Sequence, residues 1–360
     1  MRVGNRAVAA ASLALTLLLV SSAAEAKDFY KGRTIRLILS TGVGGSLDTN
    51  ARLVAHFWAR HIPGHPAIVV QNMPGAGHVR AANYLANEAP RDGTVLGSFI
   101  PAFLLAQVLK TSSAIKFNAA DFNWIGASSA SNSTFYVWHT APVKTMKDVL
   151  KTRILMGGTG AGSYTVIYPT IMNAIVGTKF KVVSGYATTH QINLALERGE
   201  VQGRAGNNFN SLEVENGEWL RDHKIRLLAQ VGLKRDPNFP NVPLMTDFGR
   251  TRQDRKILRL FSSDVAVGRP FLTAPDVPKS RVALLRRSFE ATMKDPAFLR
   301  AAKQAKIDVA PIRGAQLKKI VDQIINSPPA VVAKARAALL AAGIMGSAPK
   351  GRGQAANGGK

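Results

Sequence analysis

The sequence predicts an α/β fold with a mostly parallel sheet wound by helices. Three observations carry that expectation. Residues 34–52, TIRLILSTGVGGSLDTNAR, read as a covered strand, a glycine loop and the start of a helix. The same order of strand, glycine loop and helix returns further down the chain, as βαβ units do. A hydrophobic content of 46% over 360 residues suffices for one large or two ordinary cored domains.

The first stretch is the most informative. Ile35, Leu37, Ile38 and Leu39 form an apolar run too short for a helix and dense enough for a parallel strand. Gly42, Gly44 and Gly45 let the chain turn sharply and let a ligand approach bare amides. Ser46 is expected as the N-cap of a helix whose Leu47, Ala51, Val54 and Trp58 repeat at helical spacing. Uncommitted N–H groups and the helix dipole make such a start an anion site. The same residues would also make a tight connection that binds nothing. A dinucleotide fingerprint fails because Leu47 stands where a third glycine is needed, and a Walker loop fails because no lysine follows Gly45.

The amino terminus reads as an export signal. Arg2 and Arg6 precede the apolar run Ala7 to Val20, and Ala24-Glu25-Ala26 has the small-x-small cleavage pattern. The mature chain is expected to begin at Lys27 and to be soluble in the periplasm. The apolar run is shorter than the ~20 residues that span a bilayer. There are no cysteines, which excludes disulfides, thiolate metal sites and a lipobox. The formal charge of +25 is spread along the chain and reads as a basic solvated surface; nucleic acid is not an expected partner.

In order, Ala67 to Val70 is a second strand, and Asn72-Met73-Pro74-Gly75-Ala76-Gly77 a second glycine loop opening a helix through Ala81, Ala82 and Leu85. Pro90-Arg91-Asp92-Gly93 is a turn, and Thr94 to Ile100 a third strand. Three motifs here carry a resemblance: Gly44-Gly45-Ser46-Leu47-Asp48 with Ala51-Arg52, then Asn72 to Gly77, then Pro90 to Leu96. In this order and spacing the chain resembles the periplasmic solute receptors of the tripartite tricarboxylate transporters, the Bug-type receptors. The likeness continues through Phe122 to Gly126, taken as a crossing strand, and Ala141 to Asp148. Next come the strand Ile154 to Met156, the glycine loop Gly158 to Ser163, the strand Val182 to Gly185 and a helix from Gln191 to Arg198. Gly199 to Gln202 is a turn, and Asn207 ends the next strand. Ile225 to Gln230 is a further strand and Pro237 to Pro243 a proline-rich loop. Val265 to Phe271 is a return crossing. Ser280 to Lys294 and Val331 to Ala341 are helices.

The resemblance implies a two-domain clamp like that of type II periplasmic binding proteins. Each domain would be a mostly parallel sheet flanked by helices, the two joined by two crossing strands. Domain one would comprise 27–130 and 265–345, domain two 131–264, with a tail at 346–360. It implies a non-enzymatic receptor that delivers a di- or tricarboxylate-like anion to inner-membrane transporter subunits. The receptor would act as a monomer with only peripheral membrane contact and no cofactor or metal. The expected ligand residues are Thr41, Gly44, Gly45, Ser46, Asp48, Asn72, Gly75 and Gly77 on one side of a cleft. On the other they are Gly160, Gly162, Ser163, Tyr186, Thr188, His190 and Asn207. The first and third glycine loops suggest one anion cradle per domain, with charge-assisted bonds from amides and the hydroxyls of Ser46, Ser163 and Thr188. Asp48 either caps its helix or reads a ligand hydroxyl or ammonium.

The sequence departs from the family in its first loop, where Ser40 to Val43 replaces a proline-rich segment, and at His78 and Arg80. Of the seven histidines, His56 and His61 read as solvated helix positions, and none forms an HExxH. No GxSxG is present. A secreted α/β hydrolase on the same sheet type therefore lacks a recognisable nucleophile. A binding protein that reports to a membrane sensor kinase would have the same sequence features as a transport receptor. The four tryptophans, at 58, 124, 138 and 219, read as core.

Overall fold

The computed structural model describes residues 29–160 and 162–344. The expected signal segment, 1–26, and the expected tail, 346–360, lie outside the described residues, as does Ala161 of the third glycine loop. The first half builds β1 (Thr34–Leu39), α1 (Ser46–His61), β2 (Ala67–Asn72), α2 (Val79–Asn87), β3 (Val95–Ser98), α3 (Ala102–Leu109) and β4 (Asn123–Ala127). The chain then crosses into β5 (Ser133–Trp138), β6 (Ile154–Gly158), α4 (Tyr164–Val176), β7 (Phe180–Ser184), α5 (Thr189–Glu197), β8 (Gly203–Asn208), α6 (Phe209–Arg221), β9 (Ile225–Val231) and α7 (Arg252–Ser263). After a return crossing come β10 (Pro270–Thr273), α8 (Lys279–Thr292), α9 (Pro296–Gln304), β11 (Ile312–Arg313), α10 (Gly314–Ile325) and α11 (Pro329–Ala341).

Two sheets result, ordered β11-β4-β10-β3-β1-β2 and β7-β6-β8-β5-β9. Strands β1, β2 and β3 pair in parallel, as do β7, β6 and β8. An inserted strand runs against its neighbours in each sheet, β10 between β3 and β4 and β5 between β8 and β9, and the short edge strand β11 also runs against β4. Each inserted strand is the first strand formed after a crossing. The crossings therefore join the carboxyl edges of the two sheets and leave those edges facing each other. In open α/β sheets this is the edge at which ligands bind.

The first core lies under α1 and α8. Leu47, Ala51, Val54 and Trp58 are all buried, as their spacing predicts. Trp58 packs edge-on against Phe271 and Phe289, and its indole N–H donates to Ser288 Oγ at 2.8 Å. Burying side chains of this size contributes roughly 1.5–3 kcal/mol each. The helix ends at Ile62 because Pro63 disfavours helical backbone before it. The second core gathers Phe135, Tyr168, Ile171, Met172, Ala205 and Leu228. Two helices reach into it from outside its sheet: α3 contributes Leu105 and Leu109, and α11 contributes Val331, Ala335 and Leu339.

The segment 122–126 is not itself a crossing. Asn123–Ala127 is a strand of the first sheet, and the chain crosses after it, at 128–132. The two crossings are tied together: Ser128 N–H donates to Arg269 O at 3.1 Å, and Arg269 N–H to Ser129 O at 2.8 Å. They come so close that a Cβ on Gly268 (φ 66°) would sit 1.9 Å from Ser129 O. Only glycine fits there.

Candidate functional site

The first glycine loop is built around Asp48. Its carboxylate is 3% exposed and fully engaged. Oδ2 accepts from Gly44 N–H and from Arg52 Nε, each at 3.0 Å, and Oδ1 accepts from Asn72 Nδ2 at 2.9 Å. Asn72 also donates to Thr41 O at 2.9 Å, so the second loop holds the first. Burial pushes the Asp48 carboxyl up, and the donors from Arg52, Gly44 and Asn72 more than offset it, leaving the group below its ordinary value. Its carboxylate is turned back onto its own loop as a brace. Gly45, not Ser46, occupies the N-cap, and no side chain caps α1. The reason is geometric: the sharp turn falls at Gly44 (φ 87°), which carries the positive φ, while Gly45 is extended (φ −80°). Ser46 becomes the first helical residue, and the first-turn amides of a 16-residue helix stay without a side-chain acceptor among the described residues.

The second loop has four successive residues at positive φ: Gly75, Ala76, Gly77 and His78. His78 Nδ1 lies 3.1 Å from Ser40 O. Burial pushes its imidazole pKa down, partly countered by the Ser40 carbonyl. The ring thus ties the second loop to the first. In the third loop Ser163 Oγ donates to Gly160 O at 2.8 Å and sits 2.6 Å from Thr165 Oγ1. Across the gap between the two sheets the third loop approaches the second: a Cβ on Gly162 would lie 3.9 Å from Gly77 Cα. The first loop faces the start of α6 instead.

The structure therefore gathers Thr41, Gly44, Gly45, Ser46, Asp48, Asn72, Gly75 and Gly77 on one edge, and Gly160, Gly162, Ser163 and Asn207 on the other. Thr41 Oγ1 and Asn207 Nδ2 are buried without a hydrogen-bond partner among the described residues. Tyr186, Thr188 and His190 sit at the start of α5, where Thr188 caps the helix by accepting from Gln191 N–H at 3.3 Å. His61 is not merely solvated: its Nε2 lies 2.8 Å from Asp295 Oδ2, a partner 234 residues away. Trp58, Trp124 and Trp219 are fully buried and Trp138 is half-buried.

Two cavities lie between the sheets. One, of about 160 Å³, is lined by Gly44, Ser46 and Thr49 from the first body, Asn210, Ser211, Val214 and Glu215 from α6, Arg269 from the return crossing, and 305–307 after α9. The other, of about 290 Å³, is mainly apolar and lies under the second and third loops, between α3, α4 and the end of α11. Sequence reasoning found the glycines of both and missed Arg269, one arginine between Gly268 and Pro270 in a chain with 47 basic residues. Burial pushes its guanidinium pKa down, with Asp308 and Glu215 acting the other way. Among the described residues, no group of three or more His, Asp or Glu side chains is placed to hold a metal. None of the described helices is long and apolar enough to cross a membrane.

Comparison with known proteins points the same way. The family model described as tripartite tricarboxylate transporter family receptor matches residues 51–336. A Cupriavidus necator protein, the UPF0065 protein in the gbd 5' region, is 29% identical over 254 residues, covering 69% of this chain and 73% of its own. Among solved structures, the periplasmic binding protein BugD superposes with a TM-score of 0.63 at 19% identity, covering 88% of this chain and 99% of its own. An R. palustris protein with adipate gives 0.62 at 20% identity, covering 84% and 97%. MatC from Rhodopseudomonas palustris with bound malate gives 0.61 at 18%, covering 84% and 99%. At these identities the structural likeness speaks for the fold.

Proposed function

The chain belongs to the tripartite tricarboxylate transporter receptor family, and from that premise we propose that it is an exported receptor that captures a small carboxylate between its two sheets. The family is one of receptors, not enzymes. The observation that carries the reading is the placement of three glycine loops on facing carboxyl edges, with a cavity lined by residues of both bodies. Amides at the start of α1 supply donors suited to an anion. Relatives of the same fold hold adipate and malate, which supports a carboxylate as the class. Delivery to the membrane subunits of such a transporter is the role the family suggests.

We place the domain boundaries at the two crossings, near 130 and 265. Helix α11 follows the return crossing, yet its buried side chains lie in the second core, and we count it with that body. The two bodies then close on the ligand by rotation at the crossings, as hinged binding proteins do.

The test is thermal unfolding of the mature protein against a carboxylate library, followed by small-angle scattering with the best ligand. Ligand at 100 times its dissociation constant should stabilise the protein by ~2.7 kcal/mol. No shift with any carboxylate would overturn the reading. A shift with an unchanged scattering profile would overturn the closure.

A further inference from the structure

The 160 Å³ cavity has an unusual charge arrangement. Arg269 is fixed by its backbone, which bonds the first crossing in both directions through Ser128 and Ser129. Its side chain is half-buried and lines the cavity. Among the described residues the guanidinium has no hydrogen-bond or ion-pair partner. A guanidinium taken partly out of water without a partner costs free energy, and it offers a planar fork that matches a carboxylate. Ser46, at the uncapped start of α1, lines the same cavity. Glu215 is exposed, lies more than 4 Å from any cationic nitrogen among the described residues, and also lines it, as does the exposed Lys306. A cavity of about 160 Å³ suits a small molecule.

We propose that Arg269 is the anion anchor of this receptor, taking one carboxylate of the ligand between α1 and α6, while Glu215 on the α6 wall disfavours a second carboxylate. The preferred class is then a small monocarboxylate whose other end carries a hydroxyl or ammonium group, facing Glu215. This rests on the receptor reading above and narrows it. Because Arg269 sits on the return crossing and Glu215 on the second body, a ligand joining them also spans the hinge. The orientation follows from charge: the carboxylate lies toward Arg269 and the uncapped amides of α1, and the donor group toward α6.

The test uses calorimetric titration of the mature protein with lactate, alanine and 4-aminobutyrate, against succinate, malate and adipate. Wild type should favour a member of the first set. Arg269→Met should weaken its binding about 30-fold or more, as truncating one partner of a buried charge pair does. Arg269→Lys, which keeps the charge and loses the fork, should fall between. Without added ligand, Arg269→Met should melt close to wild type, since the guanidinium gives up no hydrogen bond or ion pair among the described residues. Glu215→Gln should improve succinate or malate binding at least fivefold. Binding of none of the six by wild type would overturn the receptor reading itself. Binding by wild type with unchanged affinity in Arg269→Met would overturn the anchor and leave the receptor standing. A wild-type preference for dicarboxylates, or no gain in Glu215→Gln, would overturn the role of Glu215. A large drop in the ligand-free melting temperature of Arg269→Met would make Arg269 structural and overturn the assignment.

Discussion

Replacing Asp264 by Asn should flatten the pH dependence of stability. Asp264 opens the return crossing and is fully buried. Its Oδ2 accepts from Tyr164 Oη at 2.6 Å, and Oδ1 has no partner among the described residues. Tyr164 stacks on Tyr168 with ring centroids 4.9 Å apart, so the carboxyl sits against two aromatic side chains. Burial pushes its pKa from 3.8 up to about 7, against the Tyr164 hydroxyl and the amides of Val265 and Asp264 itself. Between those values the folded chain holds a proton that the unfolded chain has lost. The contribution to stability is thus complete below pH ~4, declines as pH rises toward 7, and is lost above it. At 1.36 kcal/mol per pH unit, the span from pH 5 to 8 is worth about 2–3 kcal/mol. An amide at 264 keeps an acceptor for Tyr164 and cannot ionise. The assay is urea unfolding of both proteins at pH 5, 6, 7 and 8. Effects of all other titrating groups cancel in the difference, and the constant cost of a buried amide N–H drops out of the slope. The variant should gain about 2–3 kcal/mol on wild type between pH 5 and 8. Parallel curves would refute a neutral, proton-holding Asp264.

Four further predictions concern the loops and crossings. Gly45→Val should leave the melting temperature unchanged, because its backbone is extended and a Cβ there meets nothing within 4 Å; it should abolish carboxylate binding in a titration. Gly44→Ala, at φ 87°, should cost about 1–2 kcal/mol in chemical unfolding. Asp48→Asn removes a brace whose carboxyl is held below its ordinary value; its stability contribution is present above pH ~4 and lost as pH falls through the folded value. The variant should therefore be less stable than wild type at pH 7, and the gap should narrow as pH falls below the ordinary carboxylate range in pH-dependent melting. Gly268→Ala should yield little folded protein by circular dichroism, since the added carbon would overlap Ser129 O.

Much of the framework could be read from residues near one another in sequence. The β1 run, the helical repeat ending at Trp58 and the glycine loops are local patterns, and the backbone follows them. The loop details were less legible. Whether Gly44 or Gly45 takes the positive φ depends on Asp48 pulling the Gly44 amide, and that in turn depends on Asn72 arriving from another strand. Helix α6 contains a break at Asn216 followed by Gly217, which interrupts its apolar period. Strand β5, STFYVW, has no alternation because it is buried on both faces as a central strand. Helices α3, α7, α9 and α10 lie between stronger signals and are not opened by a glycine loop. Arg269, Asp264 and the His61–Asp295 pair owe their character to burial and to distant neighbours, and nothing in their local sequence marks them.

Helix α3 begins at the edge of the first sheet, yet Leu105 and Leu109 end in the second core beside Leu339 of α11. The helix answers to two packing environments at once, with Phe103 and Leu104 in the first core and Leu105 and Leu109 in the second. A change of volume at 105 or 109 that suits one body must be matched by the far end of the chain. Along a lineage, positions 105, 109 and 339 should therefore drift together, and a chimera that swaps one body between relatives should fail unless α3 and α11 travel with it.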